Sequence, residues 1–338
     1  MDYYRTIMGE QEDSFVAEFN QLWKKEIKSH ETNYAQAEQL MVGNRLRPII
    51  MAWGYYANTP IPDNRKITQY AICAELIHKA SILLDDWIDD DIARHGRKSF
   101  HVEYSKEEAV LYAIYLINRS LKIMNNLNGT LTNVLLETIE RMAVGGIIEV
   151  SQTNEMNADS VILAKKIIDL ETTTLIENSF TIGYMVSSDG KLCDEIKSIG
   201  SYMGYCFQLL NDLEPFMNVE KNISYKGGHN FDANNKRKNI VIAYLYGACT
   251  KVERGTLLGK PNFDKVEGLI NKYGIKTFIM DEVSSYTNLI KKGIKDLECS
   301  AVDKGYTSEF CLFLHAMFRI CYAKLGLIFS NDIFNQWQ

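Results

Sequence analysis

Proline is scarce in this chain, and that scarcity limits the folds it can adopt more than any other feature. The 338 residues include only five prolines, Pro48, Pro60, Pro62, Pro215 and Pro261. Because proline lacks a backbone N–H and clashes with the preceding helical turn, its absence leaves long stretches free to form helices. Helix is therefore the expected default for most of the chain.

Apolar residues recur at steps of three and four along these stretches. Between residues 67 and 90 the pattern includes Ile67, Tyr70, Ala71, Ala74 and Ile77, which places them on one broad face of a helix. The same spacing predicts helices at residues 110–123, 131–148, 164–186, 196–213, 238–246, 278–297 and 310–329. No series of alternating runs bounded by tight turns and no internal repeat is present. The predicted fold class is all-α, a helical bundle.

The composition fits a single folded domain. Apolar residues make up 46% and aromatic residues 11% of the chain, enough for a sizeable core. No Pro/Gly/Ser-rich stretch or charge run divides the sequence, so we predict one domain over residues 1–338. The net charge of -6 argues against nucleic acid as a partner, which would require clustered cations.

Cysteine usage and the N-terminus indicate the compartment. Seven cysteines, an odd number, occur without CxxC spacing, which is typical of a reduced compartment. The N-terminal residues lack a basic region followed by an apolar one, and no segment approaches about 18 uninterrupted apolar residues. We therefore expect a cytoplasmic protein without a transmembrane segment.

The strongest local signal is an acidic cluster, DDWIDDD at residues 85–91, at the end of an apolar helix. On a helix, Asp85 and Asp89 stack one turn apart with Asp86 beside them. Magnesium binds carboxylate oxygens together with substrate phosphate oxygens. The basic loop RHGRKSFH at residues 94–101 follows directly, and this order suits a magnesium diphosphate. A solvated helix terminus would give a similar acidic pattern, although acids at a helix C-terminus oppose the helix dipole.

Two further polar segments lie downstream. In FQLLNDLEP, residues 207–215, a predicted helix carries Asn211 and Asp212 near its end, and Pro215 is expected to discourage its continuation. Residues 227–239 combine two glycines with cations that include Arg237 and Lys238. On its own, this last segment is typical of a surface loop.

Together these segments resemble isoprenyl diphosphate synthases, the polyprenyl synthetase family. ELIHKASILLDDWIDDDIARHGRKSFH is similar to the family's first aspartate-rich region, where a helix carries His, then DDxxD, then RRG. VGNRLRP at residues 42–48 resembles the family's GGKRLRP, and FQLLNDLEP resembles its FQxxDDxxD. Residues 171–183 fall where the family has its Lys-Thr motif. The matches keep the family's order over roughly residues 40 to 245.

The resemblance implies a class I isoprenoid synthase fold with a central active-site cavity, usually a homodimer. Family members hold an allylic prenyl diphosphate through three Mg²⁺ ions between two acidic helices. The implied metal ligands are Asp85, Asp86, Asp89 and Asp212, with Asn211 as a weaker neutral one. Metals and cations neutralise the diphosphate, which leaves as an anion and generates an allylic carbocation.

The remaining roles concern substrate. Gln208 joins the aspartates as a catalytic residue and lines the surroundings of the carbocation with two threonines, although plain helix packing would explain these three residues as well. The residues assigned to substrate binding are Arg47, His78, Arg94, Thr172, Thr173, Arg237 and Lys238.

Some positions depart from the family pattern on the side of isopentenyl diphosphate, the family's second substrate. Arg47 and His78 are retained, whereas Asn44 replaces a Lys and His95 replaces an Arg. A charge-assisted contact is worth roughly 1.5–3 kcal/mol, so losing two would weaken binding by about two to four orders of magnitude. The cations available to compensate are Arg45, Arg97 and Lys98.

The allylic side departs too. Glu171 stands where the family has a Lys, while Asn211 and Pro215 replace two aspartates of the second DDxxD. These changes put ordinary chain elongation in doubt, and the Asn-Asp pair resembles the second motif of terpene cyclases. The small residues Ser81 and Ala80 before the first DDxxD imply a deep pocket for a farnesyl, geranylgeranyl or longer chain, although they would also permit close helix packing.

Three hypotheses follow. The first is a prenyltransferase that passes an allylic prenyl group to isopentenyl diphosphate or another acceptor, such as a peptide. The second is a class I terpene synthase that cyclises one allylic diphosphate. The third is a non-catalytic subunit of a heteromeric prenyl synthase, against which the retained aspartates argue.

Overall fold

The computed structural model describes residues 10–29, 34–59, 62–94, 96–151, 159–217, 239–257, 263–299 and 304–329. The helices before residue 152 are α1 (Glu10–Lys28), α2 (Tyr34–Gln39), α3 (Leu46–Tyr56), α4 (Asn64–Ile88), α5 (Phe100–Glu103), α6 (Lys106–Leu127) and α7 (Gly129–Ser151). Those that follow are α8 (Ser160–Ile168), α9 (Thr174–Ser187), α10 (Asp194–Met217), α11 (Ile240–Ala248), α12 (Lys251–Leu257), α13 (Phe263–Lys272), α14 (Ile275–Cys299) and α15 (Lys304–Lys324). The predicted all-α class is confirmed.

Two short features interrupt the helices near the polar motifs. An antiparallel hairpin of β1 (Ala93–Arg94) and β2 (Arg97–Lys98) follows α4, with Ala93 opposite Lys98. One turn of π-helix, Asp169–Thr173, joins α8 to α9. Both features lie within segments that the sequence assigned to the site.

Three of the predicted helices differ from the structure in continuity, in their C-terminal end or in position. The helix predicted over 164–186 is α8 and α9 with the π turn between them. The helix predicted to end near residue 213 continues through Pro215 to Met217. The expected earlier end was wrong, because a proline in the last turn removes only one backbone hydrogen bond. The helix predicted over 310–329 lies at Lys304–Lys324.

The N-termini of α4 and α6 are capped by their own sequence. Asp63 accepts a 3.1 Å hydrogen bond from the amide of Lys66. At α6, Ser105 Oγ accepts from the amide of Glu108 and donates to the Glu108 carboxylate, each at 3.0 Å. Such caps satisfy N–H groups that have no partner within the helix, so α4 begins at a fixed residue and carries the acidic cluster at its far end.

Helices α3 and α9 cross at two glycines. A Cβ at Gly54 would collide with the carbonyl oxygen of Phe180, and a Cβ at Gly183 would collide with that of Met51. The two backbones therefore approach more closely than helices with side chains at the crossing allow. The crossing thus fixes the position of α3, which carries Arg47 near its start.

An aromatic cluster attaches the C-terminal helix to this crossing. The ring of Phe310 stacks on Phe180 with centroids 5.2 Å apart and lies 5.8 Å from Trp53. Tyr306 donates a 3.0 Å hydrogen bond to the backbone oxygen of Trp53. These buried aromatic residues provide much of the apolar core around α3, α9 and α15.

Two observations bear on the expected compartment: the hydrophobicity of the helices and the state of the cysteines. Within the described ranges, none of the helices combines the length and apolar character that crossing a bilayer requires. Of the six cysteines whose side chains are described, five are buried. The side chain of Cys299 lies outside the described part of the structure.

Candidate active site

The first acidic cluster lies where the sequence placed it, at the C-terminal end of α4. Asp85 and Asp86 occupy the last turn, and Asp89 is the C-cap residue, with its amide bonded to the oxygen of Asp85 at 2.9 Å. Asp86 and Asp89 are buried, 2% and 8% exposed, and Asp85 is half-buried. Buried carboxylates at this helix end are not explained as a solvated terminus, because water does not surround them.

Arg94 contacts the acidic cluster directly. The β1–β2 hairpin turns back towards α4, and the Arg94 guanidinium lies 2.5 Å from Asp86 Oδ1 and 3.8 Å from Asp91 Oδ2. Burial raises the pKa of Asp86 to about 6, although the charge of Arg94 acts in the opposite direction. A cation assigned to the diphosphate and a carboxylate assigned to metal therefore form one ion pair.

The second acidic motif is organised by hydrogen bonds around Asp212. Its Oδ1 accepts from Gln208 Nε2 at 2.6 Å, and its Oδ2 accepts from the amide of Ile240 at 3.1 Å. Asp212 thus joins the end of α10 to the start of α11. Asn211 is half-buried beside it.

The π turn supplies the polar side chains that meet this motif. Thr172 Oγ donates a 2.8 Å hydrogen bond to Gln208 Oε1. Thr173 is buried, 1% exposed, against Gly204 of α10. Glu171 lies on another side of the turn, against Gly145 of α7. Of the three, Thr172 therefore connects to Asp212 through Gln208, and the sequence pattern did not reveal the π-helical geometry that achieves this.

Arg47 connects the two acidic helices. Its Nη1 lies 3.3 Å from His78 Nε2 on α4, and its guanidinium carbon lies 5.4 Å from the centre of the Phe207 ring on α10. Desolvation lowers the pKa of His78 well below its usual range, and the charge of Arg47 lowers it further. His78 is therefore neutral at pH 7, with Nε2 as the acceptor from Arg47. Sequence reasoning missed Phe207, which carries no charge to signal its role.

A buried ionic network lies beside this centre. Glu75 Oε1 accepts from Arg45 at 2.7 Å and lies 3.5 Å from Lys79 Nζ, and all three side chains are at most 7% exposed. Arg45 has a left-handed backbone, φ 60°. Asn44 Oδ1 accepts a 3.3 Å hydrogen bond from the amide of Leu46, at the start of α3. The four-residue spacing of Glu75 and Lys79 in an apolar helix was the signal that sequence reasoning passed over.

Some assigned residues have no described position. Arg237, Lys238 and His95 lie outside the described residues. Within the described part of the chain, no three His, Cys, Asp or Glu side chains come together as a ready-made metal site. Magnesium commonly takes only one or two carboxylates and completes its coordination with water and substrate phosphate. The hard oxygen donors of Asp85, Asp89 and Asp212 fit that requirement.

Comparisons with known proteins identify the family. The family model for polyprenyl synthetases matches residues 30–265. Among curated proteins, heptaprenyl diphosphate synthase component 2 of Bacillus subtilis is 26% identical over 207 residues, covering 60% of this chain and 57% of the relative. Nonaprenyl diphosphate synthase of Mycobacterium tuberculosis is 25% identical over 172 residues, covering 51% of each chain. The matches thus span little more than half of these relatives.

Solved structures share the fold. Heptaprenyl diphosphate synthase of Staphylococcus aureus superposes with a TM-score of 0.77 at 17% identity, covering 94% of this chain and 99% of that one. Polyprenyl synthase of Caulobacter crescentus, complexed with calcium and isoprenyl diphosphate, gives 0.74 at 20% identity, covering 84% and 89%. These likenesses confirm the isoprenoid synthase fold. Since the family model matches well over half of the sequence, this chain belongs to the polyprenyl synthetase family.

Proposed function

We propose that the protein is a magnesium-dependent prenyltransferase that ionises an allylic prenyl diphosphate and transfers the prenyl group to isopentenyl diphosphate or another acceptor. Three Mg²⁺ ions, as the family resemblance implies, would neutralise the diphosphate as it leaves. Asp85, Asp86, Asp89 and Asp212 would hold them, with Asn211 as a weaker ligand. Arg237 and Lys238 remain proposed contacts to the same diphosphate.

The position of Arg47 carries this proposal. Its contacts to His78 and Phe207 link the helices that carry the two acidic motifs. A diphosphate between the two motifs would therefore meet carboxylates from both helices through shared metal. Positioning of this kind supplies much of the catalytic effect in diphosphate chemistry, because the leaving group needs little covalent assistance.

Gln208 and Thr172 would act on the hydrocarbon side. Their hydrogen-bonded chain to Asp212 orients the amide, so that its dipole is fixed before the substrate ionises. A preorganised dipole stabilises developing charge without reorganisation. Thr173, packed beneath them, would shape the wall of the cavity.

The structure gives fewer indications of the acceptor than of the allylic diphosphate. Arg47 and His78 remain in contact with each other and support isopentenyl diphosphate as the acceptor. Asn44 supplies a neutral oxygen to the α3 backbone in place of a cation, which weakens that support. The small residues Ala80 and Ser81, together with relatives named as heptaprenyl and nonaprenyl synthases, favour a farnesyl or longer allylic chain.

A product assay tests this function. Purified protein is incubated with Mg²⁺ and geranyl, farnesyl or geranylgeranyl diphosphate, with and without isopentenyl diphosphate, and products are identified by mass spectrometry. A longer diphosphate that forms only with isopentenyl diphosphate, and not after addition of EDTA, is the expected result. Failure to consume any allylic diphosphate would contradict the proposal.

A terpene synthase is the second candidate, and the neutral Asn44 favours it. An enzyme that cyclises one allylic diphosphate needs no binding site for a second diphosphate. In the same assay it would form a hydrocarbon or alcohol without isopentenyl diphosphate. The two functions therefore give different products from the same tubes.

We propose a second copy of the chain as the protein partner. Helices α6 and α7 pack together and expose apolar side chains, among them Leu111 at 66%, Ile114 at 51% and Ile147 at 64%. Covering such a face is typical of dimerisation. The relatives named as component 2 of a synthase raise a different chain as the alternative, and light scattering of the purified protein distinguishes a homodimer from a monomer. A cytoplasmic location completes the proposal.

A further inference from the structure

The carboxylate of Glu282, on α14, binds side chains from two other helices. Its Oε1 accepts a 2.6 Å hydrogen bond from Lys165 Nζ on α8, and its Oε2 accepts a 2.7 Å hydrogen bond from the Tyr244 hydroxyl on α11. Burial raises the pKa of Tyr244 to about 12, so the hydroxyl keeps the proton that it donates. The Glu282 side chain is largely buried, with 14% of its surface exposed. We call these three residues the Glu282 triad.

Aromatic contacts hold the same face of α14 against α10 and α11. Phe278, Glu282 and Tyr286 lie four residues apart, so their side chains share one face of the helix. The ring of Phe278 meets that of Tyr244 edge to face, with centroids 4.6 Å apart. The ring of Tyr286 lies 4.6 Å from that of Tyr205 on α10. This face of α14 therefore contacts α8, α10 and α11 together.

The three helices that α14 contacts carry the hydrogen-bonded chain around Asp212. Helix α8 leads directly into the π turn that carries Thr172. Helix α10 carries Gln208 and Asp212. Helix α11 begins at Ile240, whose amide donates to Asp212 Oδ2 at 3.1 Å. Each member of the chain from Thr172 to Ile240 is thus attached to an element that α14 holds in place.

None of the three residues of the Glu282 triad belongs to a motif that identified the family. The family match ends at residue 265, so Glu282 and all of α14 lie beyond it. A carboxylate that is largely removed from water is unfavourable unless donors satisfy it. Both oxygens of Glu282 find their donors only when α8 and α11 lie in their observed positions. The placement of each of these two helices therefore depends on that of the other.

We propose that Glu282 is a positioning residue for Gln208 and Asp212. It fixes α8 relative to α11, so that the Thr172 hydroxyl and the Ile240 amide reach the two ends of the Gln208–Asp212 pair. Groups at a reaction centre act efficiently only when neighbours that are themselves fixed hold their geometry. The inference rests on the proposed function for the reaction that Asp212 serves, whereas the hydrogen bonds around Asp212 are measurable without turnover.

The first measurement uses the full-length protein without substrate. Hydrogen exchange of the Ile240 amide is followed by NMR in the wild type, in Glu282→Gln and in the control Asp281→Asn. Glutamine offers only one acceptor oxygen to the two donors. We therefore expect the Ile240 amide of Glu282→Gln to exchange about tenfold faster, as the weakening of roughly one hydrogen bond implies. Asp281 is the exposed neighbouring acid, and its variant should exchange like the wild type.

Kinetics then test the connection to the chemistry. With farnesyl diphosphate and Mg²⁺, Glu282→Gln and Tyr244→Phe should each lower kcat by about five- to tenfold. The KM for farnesyl diphosphate should stay within about twofold, because Gln208 meets charge that develops only as the substrate ionises. The matched control is Tyr205→Phe. The Tyr205 hydroxyl has no hydrogen-bond partner among the described residues, so its removal should leave kcat within about twofold.

Unchanged exchange of Ile240 in Glu282→Gln would overturn the proposal, as would equal losses of kcat in Tyr244→Phe and Tyr205→Phe. Amides of α6 serve as the reference for overall stability, and faster exchange there to the same degree would also overturn it. If Glu282→Gln does not fold, Tyr244→Phe provides the same exchange measurement. Exchange that responds to Glu282→Gln in a protein that consumes no allylic diphosphate would support the positioning role and contradict the proposed function.

Discussion

The side-chain amide of Gln208 donates a 2.6 Å hydrogen bond to Oδ1 of Asp212, one turn further along α10. Thr172 donates to the other end of the same amide at 2.8 Å. The threonine hydroxyl therefore determines which end of the amide faces the carboxylate, because a reversed amide would direct its oxygen at Asp212. The π turn that carries Thr172 thus orients a group at the second acidic motif without touching the carboxylate itself.

Removal of the Thr172 hydroxyl should lower activity through Gln208. We expect Thr172→Val to reduce kcat by about tenfold, as the loss of roughly one hydrogen bond implies. Thr172→Ser keeps the hydroxyl and should retain kcat within about twofold. Steady-state rates with farnesyl diphosphate and Mg²⁺ measure both, and equal rates for the valine and serine variants would show that the hydroxyl has no orienting role.

Two neighbouring aspartates offer a matched test of metal binding. Asp89→Asn should lower Mg²⁺-dependent turnover by about a hundredfold or more, since charge stabilisation by bound metal is worth several kcal/mol. Asp90 adopts φ 53° and pairs with the exposed Lys106 at 2.7 Å. Asparagine tolerates that backbone, so Asp90→Asn should stay within about threefold. Turnover of both variants is measured across a Mg²⁺ titration. Similar losses in the two variants would argue against a specific role for Asp89.

The neutral state of His78 predicts how stability depends on pH. Its pKa is lowered well below the usual value by burial and by nearby cations. The unfolded chain therefore binds a proton at His78 more readily than the folded protein does. The free energy of unfolding should be highest above the ordinary histidine pKa, near about 6.5, and fall as the pH drops below it. Urea denaturation from pH 8 to 5 measures this slope.

The control for that slope is His78→Gln, which should remove part of the loss at low pH. NMR of the imidazole supplies an independent reading. Protonation of His78 at its ordinary pKa would contradict the expectation, because it would leave an imidazolium 3.3 Å from the Arg47 guanidinium.

Alanine substitutions at glycines should have different effects inside and outside the crossing of α3 and α9. Gly54→Ala and Gly183→Ala each force a methyl group into a backbone carbonyl and should destabilise the protein by about 1–3 kcal/mol or more. Gly247 of α11 has open space where the methyl group of an alanine would lie, so Gly247→Ala should be neutral or stabilising by up to about 1 kcal/mol. Thermal and urea unfolding compare the three variants. Destabilisation by Gly247→Ala equal to the others would indicate a general intolerance of alanine.

The helices and the two acidic motifs were accessible from the sequence, because periodicity and local charge are properties of neighbouring residues. The apolar spacing of residues 67–90 predicted α4 closely, and DDWIDDD lies at its end as expected. The family followed from the order of the matching motifs along the chain. That the whole chain forms one domain stays a prediction, as do the roles assigned to the site residues.

Pairings between distant segments were not accessible in the same way. The contact of Arg94 with Asp86 depends on the direction in which the hairpin turns back. The contact of Arg47 with Phe207 joins residues far apart in the chain, and an apolar ring gives no local signal of a cation above it. Sequence patterns predict which face of a helix is buried, but the partner of each buried group depends on how the helices pack.

The π turn at Asp169–Thr173 has a consequence for how this site changes in evolution. A π turn accommodates one more residue than an α-helical turn in the same space. Deleting a residue there would restore regular helix and rotate the preceding side chains by about 100° relative to α9. The side chain presented to Gln208 would then change with no substitution at all. Chain length at this turn is therefore a determinant of the site's chemistry, separate from the identity of the residues in it.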